Sequence, residues 1–107
     1  MFTRVVEVTT KNGKAKDVCK TIQEKALPIL KMQNGFVDEI TLVSTADPNR
    51  VLALSFWKTR EDAQHYHQQQ FSNVTSLIRN HLESDPQVET FDLEYSTAYK
   101  IAAGRAA

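Results

Sequence analysis

Residues 50–67 read RVLALSFWKTREDAQHYH. The opening run, 50–58, is apolar at nearly every position and short enough to be a strand. Thr59 with Asp62 three residues on resembles a capping box with Asp in place of Glu, and Glu61 and Asp62 set two acids against the positive end of a helix dipole. A strand therefore hands over directly to a helix at Thr59.

Working backwards, ADPN at 46–49 is turn chemistry, and FVDEITLVST at 36–45 is a strand that makes a hairpin with 50–58. Before it, Ala15, Val18, Cys19, Ile22, Ala26, Leu27 and Leu30 recur at the three- and four-residue spacing of an amphipathic helix over Lys14–Met32. Asn12 is the expected cap, Pro28 is expected to bend or end the last turn, and QNG at 33–35 stops it. FTRVVEVT at 2–9 alternates with period two and predicts the first strand, closed by KNG.

Working forwards, the second helix should run to about Glu83, with a break near QQQFS where Ser72 caps a new segment, and SDP at 84–86 ends it. VETFDLEY at 88–95 is the last strand. The order βαββαβ predicts an α+β, ferredoxin-like sandwich: a four-stranded antiparallel sheet with two helices on one face. One domain is expected over 1–97, with 98–107 a loose or partner-bound C-terminal tail.

Composition agrees with a single domain. The chain has 107 residues, 41% of them hydrophobic, and thirteen Lys plus Arg balance thirteen Asp plus Glu. Without a net field, nucleic acid and anionic membrane surfaces are unfavoured partners, and no stretch is apolar enough to span a bilayer. Cys19 alone excludes an intrachain disulfide and is read as a small core hydrophobe; a cytoplasmic location fits.

Residues 50–58 break one rule of such a sandwich. Helices cover only one side of the sheet, so strands should alternate apolar with polar. Here Leu52, Leu54 and Phe56 face one way while Val51, Ala53, Ser55 and Trp57 face the other, and both sets look buried. An uncovered apolar face implies a homodimer through the open sheet face, forming a barrel whose interior suits a small apolar or aromatic ligand. Val51 and Ala53 are expected at that interface.

His65 and His67 are two apart and cannot chelate one metal from a regular helix, so no metal site is expected. His65 reads as a surface residue paired with Glu61. On a helical wheel His67 shares a side with Ala63, Val74, Ile78 and His81, where burial would leave a neutral imidazole able to act as a base; a core histidine is the plainer reading. Trp57 packs or lines a pocket, and Tyr66 and Phe71 are core or cavity wall.

The hairpin ending in FW, the following KTREDAQHYHQQQF and the acidic last strand VETFDLEYS resemble the antibiotic biosynthesis monooxygenase family of dimeric α/β barrels over roughly residues 2–97. The resemblance implies cofactor-free oxygenation of a small aromatic or quinol-type substrate by dioxygen. His67 would then be catalytic, and Trp57, Tyr66 and Phe71 would bind substrate. Where many relatives carry histidines nine and fourteen residues after the tryptophan, this chain has Tyr66 and Phe71. The residues of the haem-degrading branch fall by register near Val6, Tyr66 and Ser76, none of which preserves them. The alternative is a non-catalytic module holding haem, a quinone or another small molecule. Replacement of Trp57, Tyr66 or His67 is expected to alter binding or turnover more than stability.

Overall fold

The computed structural model describes residues 1–99. Strands β1 (Phe2–Thr9), β2 (Phe36–Val43), β3 (Arg50–Trp57) and β4 (Gln87–Asp92) form one antiparallel sheet in the order β2-β3-β1-β4. The helices are α1 (Ala15–Thr21), a π-helical stretch (Ile22–Ala26) and α2 (Leu27–Lys31) in one rod, then α3 (Arg60–Gln69) and α4 (Phe71–Ile78). This is the expected α+β ferredoxin-like architecture. Of the tail, residues 100–107 lie outside the described ones.

Pro28 neither ends nor bends its helix to a stop. It falls in the first turn of α2, directly after the π-helical stretch, where the wider turn has already interrupted the regular hydrogen-bond ladder and a missing N–H costs little. Lys14, not Asn12, precedes α1, and no side chain caps it. At Gln70 the backbone leaves helical geometry, so the expected break exists, but Ser72 lies inside α4 and caps nothing.

Thr59 is extended and its hydroxyl accepts from the Asp62 amide at 3.1 Å, satisfying one orphan donor of α3. Thr59→Ala is expected to cost about 1 kcal/mol in urea unfolding, with ligand binding unchanged.

Cross-strand partners share a face, so the registers assign every side chain of the sheet. Val51, Ala53, Ser55 and Trp57 lie on the helix side with Phe2, Arg4, Val6 and Val8 of β1. Leu52, Leu54 and Phe56 lie on the open side with Thr3, Val5 and Glu7. The expectation that Val51 and Ala53 face a partner is thus corrected: both pack with Val18, Ile22 and Ile78 beneath the helices. A bulge at Val37 lets Phe36 join Trp57 on the helix side while Asp38, Ile40 and Leu42 turn to the open side. There Ile40 is 39% exposed, Leu42 46% and Phe91 46%, around half-buried Leu52 and Leu54. Tyr99 covers part of this face, its ring 5.5 Å from Phe56 and its hydroxyl donating to Asp38.

Candidate functional site

Glu39 pairs with Ser55 and Ser55 with Arg4, and Thr90 continues the row on β4. These four make a polar row across the helix side of the sheet, between Phe36, Phe2 and Trp57 at one end and Ala53, Val6 and Val88 at the other. Neighbouring strands are about 4.8 Å apart, so Glu39 and Arg4 stand roughly 10 Å from each other with Ser55 between them. Above the row is a cavity of 60 Å³, roofed by Ile22, Ala26 and Leu30 on one side and Tyr66, Phe71 and Val74 on the other.

Arg4 is 3% exposed. Among the described residues no carboxylate pairs with it; its guanidinium lies 5.1 Å from the Tyr66 ring centroid and 4.6 Å from that of Phe71, and Nη2 donates to His67 Nδ1 at 3.0 Å. Burying a cation costs several kcal/mol, and cation–π contacts return about 2 kcal/mol or more each when desolvated. Burial lowers its pKa, and proximity to the Tyr66 phenol works the other way. The guanidinium stays charged at any physiological pH.

That contact decides the state of His67. An arginine can only donate, so Nδ1 must be the acceptor and a neutral ring carries its proton on Nε2. Desolvation, aided by the Arg4 charge, lowers the His67 pKa and holds it neutral at pH 7. The ring stacks on Phe71 at 5.2 Å and is exposed, so the expected burial of His67 among Val74 and Ile78 is corrected. His67 has a lone pair ready for a proton only after the Arg4 bond breaks. It lines an outer groove of 430 Å³ along α3, β1 and β4 rather than the inner cavity. Arg4 borders both spaces and forms the wall between them. His65 is exposed and makes no ion pair with Glu61 among the described residues.

Glu39 is half-buried at the other end of the row. Burial raises its pKa above the ordinary glutamate value; the Thr41 hydroxyl, donating at 2.8 Å, opposes this, and Asp38 adds to it. A carboxylate held with a raised pKa in an apolar cavity is the group there best suited to accept a proton. Burial likewise raises the Tyr66 phenol, so it stays protonated.

Trp57 is fully buried, stacks on Tyr66 at 5.1 Å, meets Phe36 edge-on, and donates from Nε1 to Ser55 Oγ at 2.9 Å. It lies behind the cavity lining, leaving the Ser55 hydroxyl its own proton to donate. Tyr66 and Phe71 do line the cavity, as expected from their position after Trp57. Sequence reasoning missed Arg4, Glu39 and Ser55. Among the described residues no cluster of His, Cys, Asp and Glu is arranged to hold a metal, and no helix is long and apolar enough to cross a membrane.

The family model for antibiotic biosynthesis monooxygenases matches residues 1–73. Solved structures share the fold. SnoaB, a cofactor-independent oxygenase from Streptomyces nogalater, superposes with a TM-score of 0.73 at 15% identity, covering 90% of this chain and 95% of its own. A Nitrosomonas europaea protein provisionally assigned as an antibiotic biosynthesis monooxygenase gives 0.71 at 18% identity, covering 89% and 100%. A second protein from that organism, of unknown function, gives 0.74 at 17%, covering 89% and 90%. A search of curated protein sequences found no significant match.

Proposed function

Since the chain belongs to the antibiotic biosynthesis monooxygenase family, we propose that it is a cofactor-independent monooxygenase that oxidises a small, flat phenolic or quinol-type substrate with dioxygen. The observation that carries this reading is the polar row Glu39–Ser55–Arg4 set into an apolar cavity. Its span of roughly 10 Å matches a one- or two-ring molecule with oxygens on its edges.

Glu39 takes a proton from the substrate, breaking an O–H or an acidic C–H bond and forming the carboxylic acid. The electron-rich anion that results is stabilised by the Ser55 hydroxyl and the field of Arg4, which in a desolvated site acts far more strongly than in water. Dioxygen then places one oxygen atom on carbon, and the other leaves as water. For a phenolic C–H going to a quinone, the substrate loses two hydrogens and both electron pairs come from it, so no external reductant is needed. The cavity of 60 Å³ is smaller than the roughly 150 Å³ that accommodates benzene. Arg4 turning away from His67 joins it to the outer groove and provides the room. Glu39 therefore replaces His67 as the catalytic base of this reading, and Tyr66 and Phe71 remain the ring-binding walls.

Oxygen uptake by metal-free protein with a panel of quinols and polyphenols tests it. One dioxygen per substrate, insensitive to chelator, is expected; no uptake with any member, or uptake abolished by chelator, contradicts it.

The working unit is a homodimer through the open sheet face, supported by exposed Ile40, Leu42 and Phe91 around Leu52 and Leu54. Leu54→Arg would bury an unpaired charge there and should give monomer or insoluble protein. Light scattering checks both proteins; a wild type that is monomeric at micromolar concentration removes the dimer.

A further inference from the structure

We infer that the substrate is an aromatic acid, its ring in the inner cavity and its carboxylate in the outer groove between Arg4 and Arg60. The groove is built from one face of α3, on which Arg60, Gln64, His67 and Gln68 recur at helical spacing, set against Phe2 and Arg4 of β1 and Val88 and Thr90 of β4. Two arginines line it and no carboxylate does among the described residues, Asp92 standing just beyond Thr90 opposite Phe2, in a chain whose acids and bases are equal in number. A local excess of positive charge on a balanced chain needs a cause, and an anionic ligand supplies one.

Arg4 is the stronger half of the observation. It is buried, it has no acidic partner among the described residues, and its Nη2 donates to a neutral imidazole, which a carboxylate would outcompete. The planar guanidinium presents five N–H donors, enough to grip a carboxylate in a fork while keeping its face against Phe71. Arg60 is held over the Phe2 ring at 5.3 Å, which orders an otherwise exposed side chain at the groove's rim. Gln64 and Gln68 offer amide donors between them. Because Arg4 forms the wall between groove and cavity, a carboxylate that draws Arg4 from His67 also opens the way for the attached ring.

The inference rests on the oxygenase reading only for what happens to the ring afterwards, so its test is binding and not turnover. Isothermal titration of the wild type with 2-naphthoate and with its neutral isostere 2-acetylnaphthalene compares the acid with a ketone of the same shape. We expect the acid to bind at least tenfold more tightly, with an affinity that falls as salt is raised. Arg60→Gln, at an exposed position outside the core, should cut that preference several-fold and leave the ketone's affinity unchanged; Arg4→Met, which keeps the apolar stem, should abolish it. Equal affinities for the two probes, or no binding of either at millimolar concentration, would overturn the inference. Tight acid binding by a protein that consumes no oxygen would keep the inference and sink the oxygenase, whereas oxygen uptake with neutral quinols and no acid preference would do the reverse.

Discussion

Glu39→Gln should lower kcat by about 10²–10⁴, the usual contribution of a positioned general base. Glutamine keeps the shape and can still accept from the Thr41 hydroxyl, so the unfolding midpoint should stay close to wild type while the base is lost. The pH profile supplies a second sign. A base works when ionised, and the pKa of Glu39 is raised, chiefly by burial; activity should therefore fall as pH falls through a value above the ordinary glutamate range. That limb should be missing from the residual rate of the glutamine variant. The charged neighbour that adds to the shift is Asp38 on the same strand. His67, its pKa lowered by desolvation and the Arg4 charge, should place any limb of its own below the ordinary imidazole value. A Glu39→Gln enzyme with wild-type kcat would leave the cavity without its base.

Trp57→Ala has the largest expected effect on stability, about 3–5 kcal/mol, from lost burial and the cavity left behind. A domain of this size has roughly 5–15 kcal/mol in all, so about a fifth or more is at stake. The indole touches Phe36 and Tyr66, and its N–H holds Ser55 in place. Urea denaturation should show the drop directly. This reverses the expectation that a change at Trp57 acts on binding more than on stability: Trp57 is the back support of the site and Tyr66 is its surface. Trp57→Phe should recover most of the packing yet release the Ser55 hydroxyl, separating the two roles.

The order of elements was legible because each has a strong local signal: period two in 2–9, helical spacing in 14–32, and a cap with acids at Thr59 to Asp62. What was not legible depends on phase. Both faces of β3 are apolar, so its sequence cannot say which one the helices cover; the structure chooses Val51, Ala53, Ser55 and Trp57, whose small Ala53 and Ser55 leave room for the cavity. A single helical wheel drawn through 63–81 places His67 with Val74 and Ile78, but the break at Gln70 resets the phase, and His67 comes out exposed. The bulge at Val37 hides Glu39 in the same way, by moving it to the face that strict alternation from Phe36 denies it. Arg4 alone could have been found beforehand. In FTRVVEVT it occupies the register of Phe2, Val6 and Val8, and a charge in an apolar register is the mark of a buried functional group.

The claim that this chain inserts oxygen from dioxygen into an organic substrate without a cofactor is tested most directly by a single turnover under isotopically labelled dioxygen. Metal-free protein and a quinol that supports uptake would be used, with the product read by mass spectrometry. One labelled oxygen atom per product molecule and the other in water are expected, with both signals appearing about 10²–10⁴ times more slowly in Glu39→Gln. Unlabelled product, or labelled hydrogen peroxide in place of labelled water, would contradict the account.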